Sequence, residues 1–211
     1  MNISILGAGR VGATLAKALA DKGHAVTLGH REPQAGASRW QGPAVQHASL
    51  ADAAAASALV INALPGEAAL QALKALEAAL QSKVLLDVAN ATVRTADGMP
   101  GGLLYPDSSL AEQLQAALPQ TRVVKALNTM LFTVMAAPHS LATPPTAFLS
   151  GNDAQAKEQV KALLGELGWP AEWLLDLGPI ESARATEAFI LMVPRLIAAR
   201  GFKPFALTLA G

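Results

Sequence analysis

Residues 1–32 read MNISILGAGRVGATLAKALADKGHAVTLGHRE. The apolar run Ile3–Leu6 breaks at Gly7, and Gly9 and Gly12 complete a GxGxxG spacing. Val11, Leu15 and Leu19 then recur at i, i+4 and i+8, the stripe of an amphipathic helix. Gly23 stands where that helix should stop, and a second apolar run, Ala25–Leu28, follows it. Strand, glycine turn, helix and strand make a βαβ unit. In that context the three glycines read as a phosphate-cradling turn rather than a chance spacing.

The same alternation continues along the chain. Further apolar runs occur at Ala58–Ala63, Val84–Val88, Val123–Leu127 and Ala147–Leu149. Between them lie helical stretches; Val160, Leu163, Leu164 and Leu167 fall at i, i+3, i+4 and i+7, and Gly168 closes that helix. Ser49 with Asp52, and Ser109 with Glu112, have capping-box spacing. Strands that are apolar throughout and alternate with helices predict a sheet covered on both faces. The expected fold is therefore α/β, a doubly wound, mostly parallel sheet of the Rossmann type, with a short C-terminal helical segment. We place a nucleotide-binding domain at 1–178 and a C-terminal helix and tail at 179–211. A single helix is expected over Ile180–Ala199, kinked or ended by Pro194, ahead of the tail FKPFALTLAG.

Composition narrows the function. The 211 residues are 52% hydrophobic and 15% charged, with a formal net charge of zero. A nucleic-acid binder usually carries a basic excess on one face, so no nucleic-acid partner is expected. With no cysteine, disulfides, thiolate metal sites and thiol nucleophiles are excluded. The apolar stretch Ala188–Val193 stops at Pro194 and Arg195, far short of a membrane span, and the expected setting is cytoplasmic. His24, His30, His47 and His139 show no metal-ligand spacing. No GxSxG, HExxH or GxxxxGK[ST] pattern occurs either, so neither a metal site nor a protein catalytic constellation is expected.

The ends of the strands carry the binding chemistry, because ligands of a parallel sheet sit outside its carboxyl edge. Gly7 permits the tight turn, Gly9 lets a pyrophosphate approach, and Gly12 lets helix and strand pack; Ala8, Arg10 and Val11 complete the loop. An NAD binder places an acid at the tip of the second strand to meet the ribose 2′-hydroxyl. Here that tip is Gly29, His30 and Arg31, and Glu32 comes two residues after His30. An arginine offers planar paired donors to a 2′-phosphate, so the expected cofactor is NADP(H). His30 adds a hydrogen-bonding ring, Arg10 lies on the adenine side, and Arg39 is a further basic candidate. Ala63, Leu64 and Pro65 end the next strand as small apolar neighbours for the nucleotide. Asp87 and Asn90 supply polar groups where a nicotinamide falls, Asp87 reading equally well as turn chemistry.

Several segments in order carry a family likeness: ISILGAGRVG, GHRE, SSLAEQLQAALPQTRVVKALNTM, FLSGNDAQAKEQVKALLGELGW and DLGPIESARATEAF. The chain resembles the NADPH-dependent coenzyme F420 reductase family and is similar to the NADPH-binding domain of the STEAP metalloreductases. The resemblance implies that the backbone of Ala8–Gly12 holds the pyrophosphate. It also implies that His30–Arg31 replaces the family's Ser-Arg pair at the 2′-phosphate. Pro33, Gln34 and Ala35 stand where the family often has another basic residue. The run Lys125, Ala126, Leu127, Asn128 and Thr129 matches the segment passing the nicotinamide, which makes Ala126 and Asn128 implied contacts. Leu127 stands where many members have Phe.

The resemblance further implies a small-molecule redox substrate, F420 or a flavin as acceptor, and a homodimer contacted through the C-terminal segment. Hydride transfer between stacked rings needs no protein acid or base, since the cofactors supply the electronics. The stretch MLFTVMAAPHSLATPP, residues 130–145, is expected to wall the acceptor pocket, with His139 either bordering it or solvated. Phe132, Trp169, Trp173 and Phe189 are the aromatic candidates for that crevice. Two other readings stay open. An imine or carbonyl reductase needs a proton donor, for which Asn90, Asn128 and Thr129 are poor acids. A non-catalytic NADP(H) sensor predicts blocked access over the nicotinamide.

Overall fold

The computed structural model describes residues 1–210. Ten strands occur: β1 (Asn2–Leu6), β2 (Ala25–His30), β3 (Gln46–Ser49), β4 (Leu59–Asn62), β5 (Val84–Asp87), β6 (Thr92–Arg94), β7 (Pro100–Leu103), β8 (Arg122–Lys125), β9 (Ala147–Gly151) and β10 (Leu174–Asp176). Eight of them form one sheet in the order β10-β9-β8-β5-β4-β1-β2-β3, and β6 and β7 pair separately as an antiparallel hairpin. From β3 to β8 every pairing is parallel; β9 runs antiparallel to β8, and β10 parallel to β9. This is the expected doubly wound sheet. Its strand order reverses between β1 and β4, which opens a crevice at their carboxyl ends.

The alternation of side chains builds two cores. Ile3, Ile5, Leu28, Ile61, Leu86 and Val124 face the helices Arg10–Asp21 and Ala154–Glu166. Val60, Leu85 and Val123 face the opposite way, under Leu50–Ala56, Gly66–Lys74 and Leu110–Ala117. Both faces of the central strands are thereby buried, which is why those strands lack a polar alternation. The strands β3, β6, β7 and β10, absent from the expectations above, are half-exposed or exposed edge pieces with no such apolar run.

Helix ends follow their signals. Gly23 (φ +86°) and Gly168 (φ +94°) stop two helices. Ser49 and Ser109 each accept an N–H, from Asp52 and Glu112, at 3.1 Å. Each serine hydroxyl also donates to the carboxylate of that same acid, at 2.7 and 2.8 Å. Replacing the buried Ser109 by Ala is expected to cost about 1 kcal/mol, read as a lower urea midpoint.

One expectation is corrected. Ile180–Ala199 is not a single helix but a 3-10 turn (Ile180–Ser182), a short helix (Ala183–Ala188), a second 3-10 turn (Phe189–Met192) and a helix Val193–Arg200. Pro194 sits in the first turn of that last helix, where its missing N–H has no intrahelical partner to lose. No helix among the described residues is long and apolar enough to cross a membrane.

Candidate active site

The glycine turn follows β1 directly. Gly7 adopts φ +107°, and a Cβ there would lie 2.5 Å from the Ala63 carbonyl oxygen. At Gly12 a Cβ would lie 1.8 Å from the Gly7 carbonyl oxygen, so helix and strand touch through bare backbone. Gly9 faces open space. It also caps the helix Arg10–Asp21 with no side-chain hydrogen bond and no acid in the first turn. The N-terminal N–H groups are thus left to an anion.

A crevice of about 980 Å³ runs along this edge of the sheet. Its walls bring together Gly7, Ala8, Gly9, Arg10 and Val11 of the turn, His30 and Arg31 at the tip of β2, and Ala63, Leu64 and Pro65 after β4. Asn90 and Asn128 join them after β5 and β8, and Glu32 and Arg39 also line it. Gly12 lies under the turn rather than on the wall, as its packing role requires. Ala126 is corrected: it is wholly buried and does not reach the crevice.

The basic end is built on β2 and its edge neighbour. His30 Nε2 lies 2.7 Å from His47 Nδ1. Partial burial, then His47, then Arg39 lower the basicity of His30, and partial burial lowers that of His47. Arg31 is exposed on the wall, while Arg39 donates through Nε to the Ala35 carbonyl at 3.0 Å.

At the other end, two asparagines lock together. Asn90 Nδ2 donates to the Asn128 carbonyl at 2.9 Å, and Asn128 Nδ2 donates to Asn90 Oδ1 at 3.1 Å. Asn128 Oδ1 is buried without a partner. A buried acceptor left unpaired costs free energy, so a ligand amide placed here gains what the bare protein lacks. Leu127, with φ +63° and a buried side chain, makes the left-handed turn after which Asn128 emerges.

Asp87, left open between a nicotinamide contact and turn chemistry, has a third role. It is fully buried, accepting from Asn62 Nδ2 at 2.8 Å and from Lys125 Nζ at 2.8 Å, and has no place on the crevice wall. Lys125 Nζ also meets Glu187 at 2.8 Å and the Ala89 carbonyl. Glu187 in turn accepts the N–H groups of Leu110 and Ala111, at 3.0 and 3.2 Å. Burial disfavours the Lys125 charge, but Asp87 and Glu187 outweigh it and hold the ammonium above its ordinary basicity. Of Lys125–Thr129, only Asn128 lines the crevice; the others are buried. Glu187 was not anticipated, and the only signal for it is that a buried lysine needs an acid.

Glu67 and Arg94, paired at 3.1 Å, also line the crevice, and much of the remaining wall is apolar. Met130, Leu131, Phe132 and Met135 come from the expected 130–145 stretch, and Phe189, Ile190, Val193 and Phe205 come from the C-terminal segment. None of these eight side chains titrates. Arg10 lies 5.6 Å from the Phe132 ring centre, joining the two halves of the crevice. The tail is fastened by backbone bonds, Leu131 N–H to Phe205 O at 2.9 Å and Leu207 N–H to Thr129 O at 3.0 Å. Trp169 is a core residue donating to the Met135 carbonyl at 3.0 Å. Trp173 stacks on the exposed His139, 4.7 Å between ring centres, and neither lines the crevice.

Comparison with known proteins fits this geometry. Residues 2–91 match the family described as NADP oxidoreductase coenzyme F420-dependent. The crystal structure of a candidate F420-dependent NADP reductase from Arthrobacter sp. FB24 is 40% identical, with full coverage of both chains and a TM-score of 0.91. The chain belongs to the F420-dependent NADP oxidoreductase family. Within that family's neighbourhood, the F420-dependent NADP reductase of Methanocaldococcus jannaschii is 30% identical over 140 residues, 65% of this chain and 60% of that protein. Metalloreductase STEAP3 of Rattus norvegicus is 29% identical over 203 residues, 93% of this chain and 39% of that protein. The chain thus spans less than two thirds of the length of either curated relative.

Proposed function

We propose that this chain binds NADP(H) and passes a hydride between its nicotinamide and a planar ring acceptor, F420 or a flavin. The observation carrying this reading is one crevice with two unlike halves. A glycine-and-arginine end suits a phosphorylated dinucleotide, and the wall of Met130, Phe132, Met135, Phe189, Ile190 and Phe205 suits a flat ring. In this reading Gly7–Gly12 and the uncapped helix end receive the pyrophosphate. Arg31, aided by His30 and Arg39, meets the 2′-phosphate, and Asn128 Oδ1 accepts from the carboxamide. Ala63, Leu64 and Pro65 offer a smooth wall to the nucleotide, while Met130, Phe132 and Phe189 keep water from the transfer. When bound, the nicotinamide supplies the hydride chemistry and the protein supplies proximity in a dry site. A reduced imine or carbonyl would also need a proton; the apolar wall of the second half supplies none, and Glu67 on the crevice is tied to Arg94. The crevice runs on into that half instead of closing, which favours an enzyme over a sensor. We further propose that residues 179–211 act as the acceptor-side unit, and that the protein works on a small molecule as a homodimer in the cytoplasm.

Titration with NADPH and NADH, followed by nicotinamide fluorescence, tests the first half. NADPH is expected to bind tighter, and Arg31→Ala to weaken NADPH about tenfold or more while sparing NADH, the scale of a lost hydrogen bond to a charged group. Equal binding of both nucleotides by the wild type overturns the assignment. Stopped-flow oxidation of NADPH by F420 and by flavins then tests the acceptor.

A further inference from the structure

We propose that His30 and His47 act together as a proton-accepting pair, so that binding the NADPH 2′-phosphate takes up one proton and the preference for NADPH over NADH rises as pH falls. This rests on the NADP(H) reading above.

The pairing follows from register. His30 is opposite Ser49 across the β2–β3 ladder, and His47 lies two residues earlier on the same strand face as Ser49. The two rings are therefore diagonal neighbours on one face of the sheet. Their centres are 4.9 Å apart and their nitrogens 2.7 Å apart. Two neutral imidazoles can make that bond with one proton between them; a second proton turns the pair into a shared cation.

The pair is held in place. The His30 ring lies on Gly36, where a Cβ would come within 2.3 Å of it, and Trp40 stands edge-on to His47 at 5.6 Å. Of the two histidines, His30 borders the crevice and His47 does not. Charged neighbours come from every element around them. Arg31 and Glu32 follow β2, and Arg39 belongs to the helix Pro33–Arg39. Arg10 opens the helix that carries Lys17, whose ammonium covers Trp40 at 5.4 Å. Asp52 at the start of Leu50–Ala56 is engaged by Ser49. Partial burial of both rings, with His47 and Arg39 acting further on His30, disfavours a positive charge on the pair in the free protein. A 2′-phosphate brings about 1.5 to 2 negative charges to this corner and reverses that balance. The proton comes from solvent; no other bond forms or breaks. NADH carries no such phosphate and leaves the pair neutral.

Calorimetric titration of the full chain with NADPH and with NADH, each in two buffers of different ionisation enthalpy at pH 7.5, reads the proton directly. Uptake approaching one proton is expected with NADPH and none with NADH. The NADPH affinity should rise up to about tenfold per pH unit between pH 8 and 6.5, the slope for one linked proton. His47→Gln, which keeps a hydrogen-bonding side chain but does not titrate here, should abolish the uptake and flatten the slope. NADPH binding without proton uptake, proton release, or uptake that survives in His47→Gln overturns the proposal and leaves the cofactor assignment intact. Failure to bind NADPH at any pH overturns the assignment itself, and the proposal with it.

Discussion

Lys125→Met is expected to destabilise the protein by about 3–5 kcal/mol, the range for removing one partner of a buried ion pair. The side chain fits by size, so the loss is electrostatic. It leaves Asp87 and Glu187, each under 5% exposed, facing one another without a cation. Asp87 keeps its bonds from Asn62 and the Ala89 N–H, and Glu187 keeps those from Leu110 and Ala111. These donors orient two negative charges but neutralise neither. Chemical denaturation measures the cost. Adding Glu187→Gln to Lys125→Met should recover part of the loss, and a double-mutant cycle gives the coupling. A Lys125→Met protein as stable as wild type would show that the network is incidental to folding.

Gly12→Ala is expected to abolish useful nucleotide binding, lowering NADPH affinity about a hundredfold, the scale of an ångström-sized misplacement at a positioned site. A methyl group there meets the Gly7 carbonyl oxygen at 1.8 Å, its carbon at 3.0 Å and the Ala63 Cβ at 3.4 Å. The nearest of these is backbone, so the turn or the helix must move. Overpacking of this kind also costs stability, about 1–3 kcal/mol. Gly9→Ala is the informative contrast. No atom lies within 4 Å of its Cβ, so stability should hold while the methyl occupies the space a pyrophosphate needs. Thermal unfolding alongside NADPH titration separates the two. If Gly9→Ala binds NADPH like wild type, the phosphate does not sit over this turn.

The nucleotide half of the crevice was legible because its determinants are local. A strand, three glycines and an uncapped helix sit within twenty-one residues, and Arg31 stands one residue past the end of β2. The acceptor half was legible only in part. Phe132 and Phe189 were named as aromatic candidates, but Phe205 was not, because nothing near it in sequence shows that its backbone bonds to Leu131. Asp87, at the end of a strand, reads equally well from the sequence as a group near the nicotinamide or as turn chemistry, and neither reading supplies its partner. Its carboxylate turns inward to a lysine that only the β5–β8 pairing brings beside it. Ala126 failed for a related reason: it lies wholly buried just past β8, before the left-handed residue Leu127 redirects the chain and Asn128 joins the crevice wall. The C-terminal helix failed on spacing alone, since an apolar stretch does not reveal that two 3-10 turns interrupt it.

The crevice also divides along the chain. Its polar half comes mostly from residues up to Asn90, almost the span matched to the family, with Arg94 and Asn128 the later exceptions. Its apolar half comes from residues 130–205. Under the proposed function, changes confined to the second half would alter the acceptor while leaving the first half's residues in place. For an engineer the same seam marks where to draw a library. Diversity at Met130, Phe132, Phe189, Ile190 and Phe205 explores new electron partners at little risk to the nucleotide grip, provided Glu187 stays outside the randomised set.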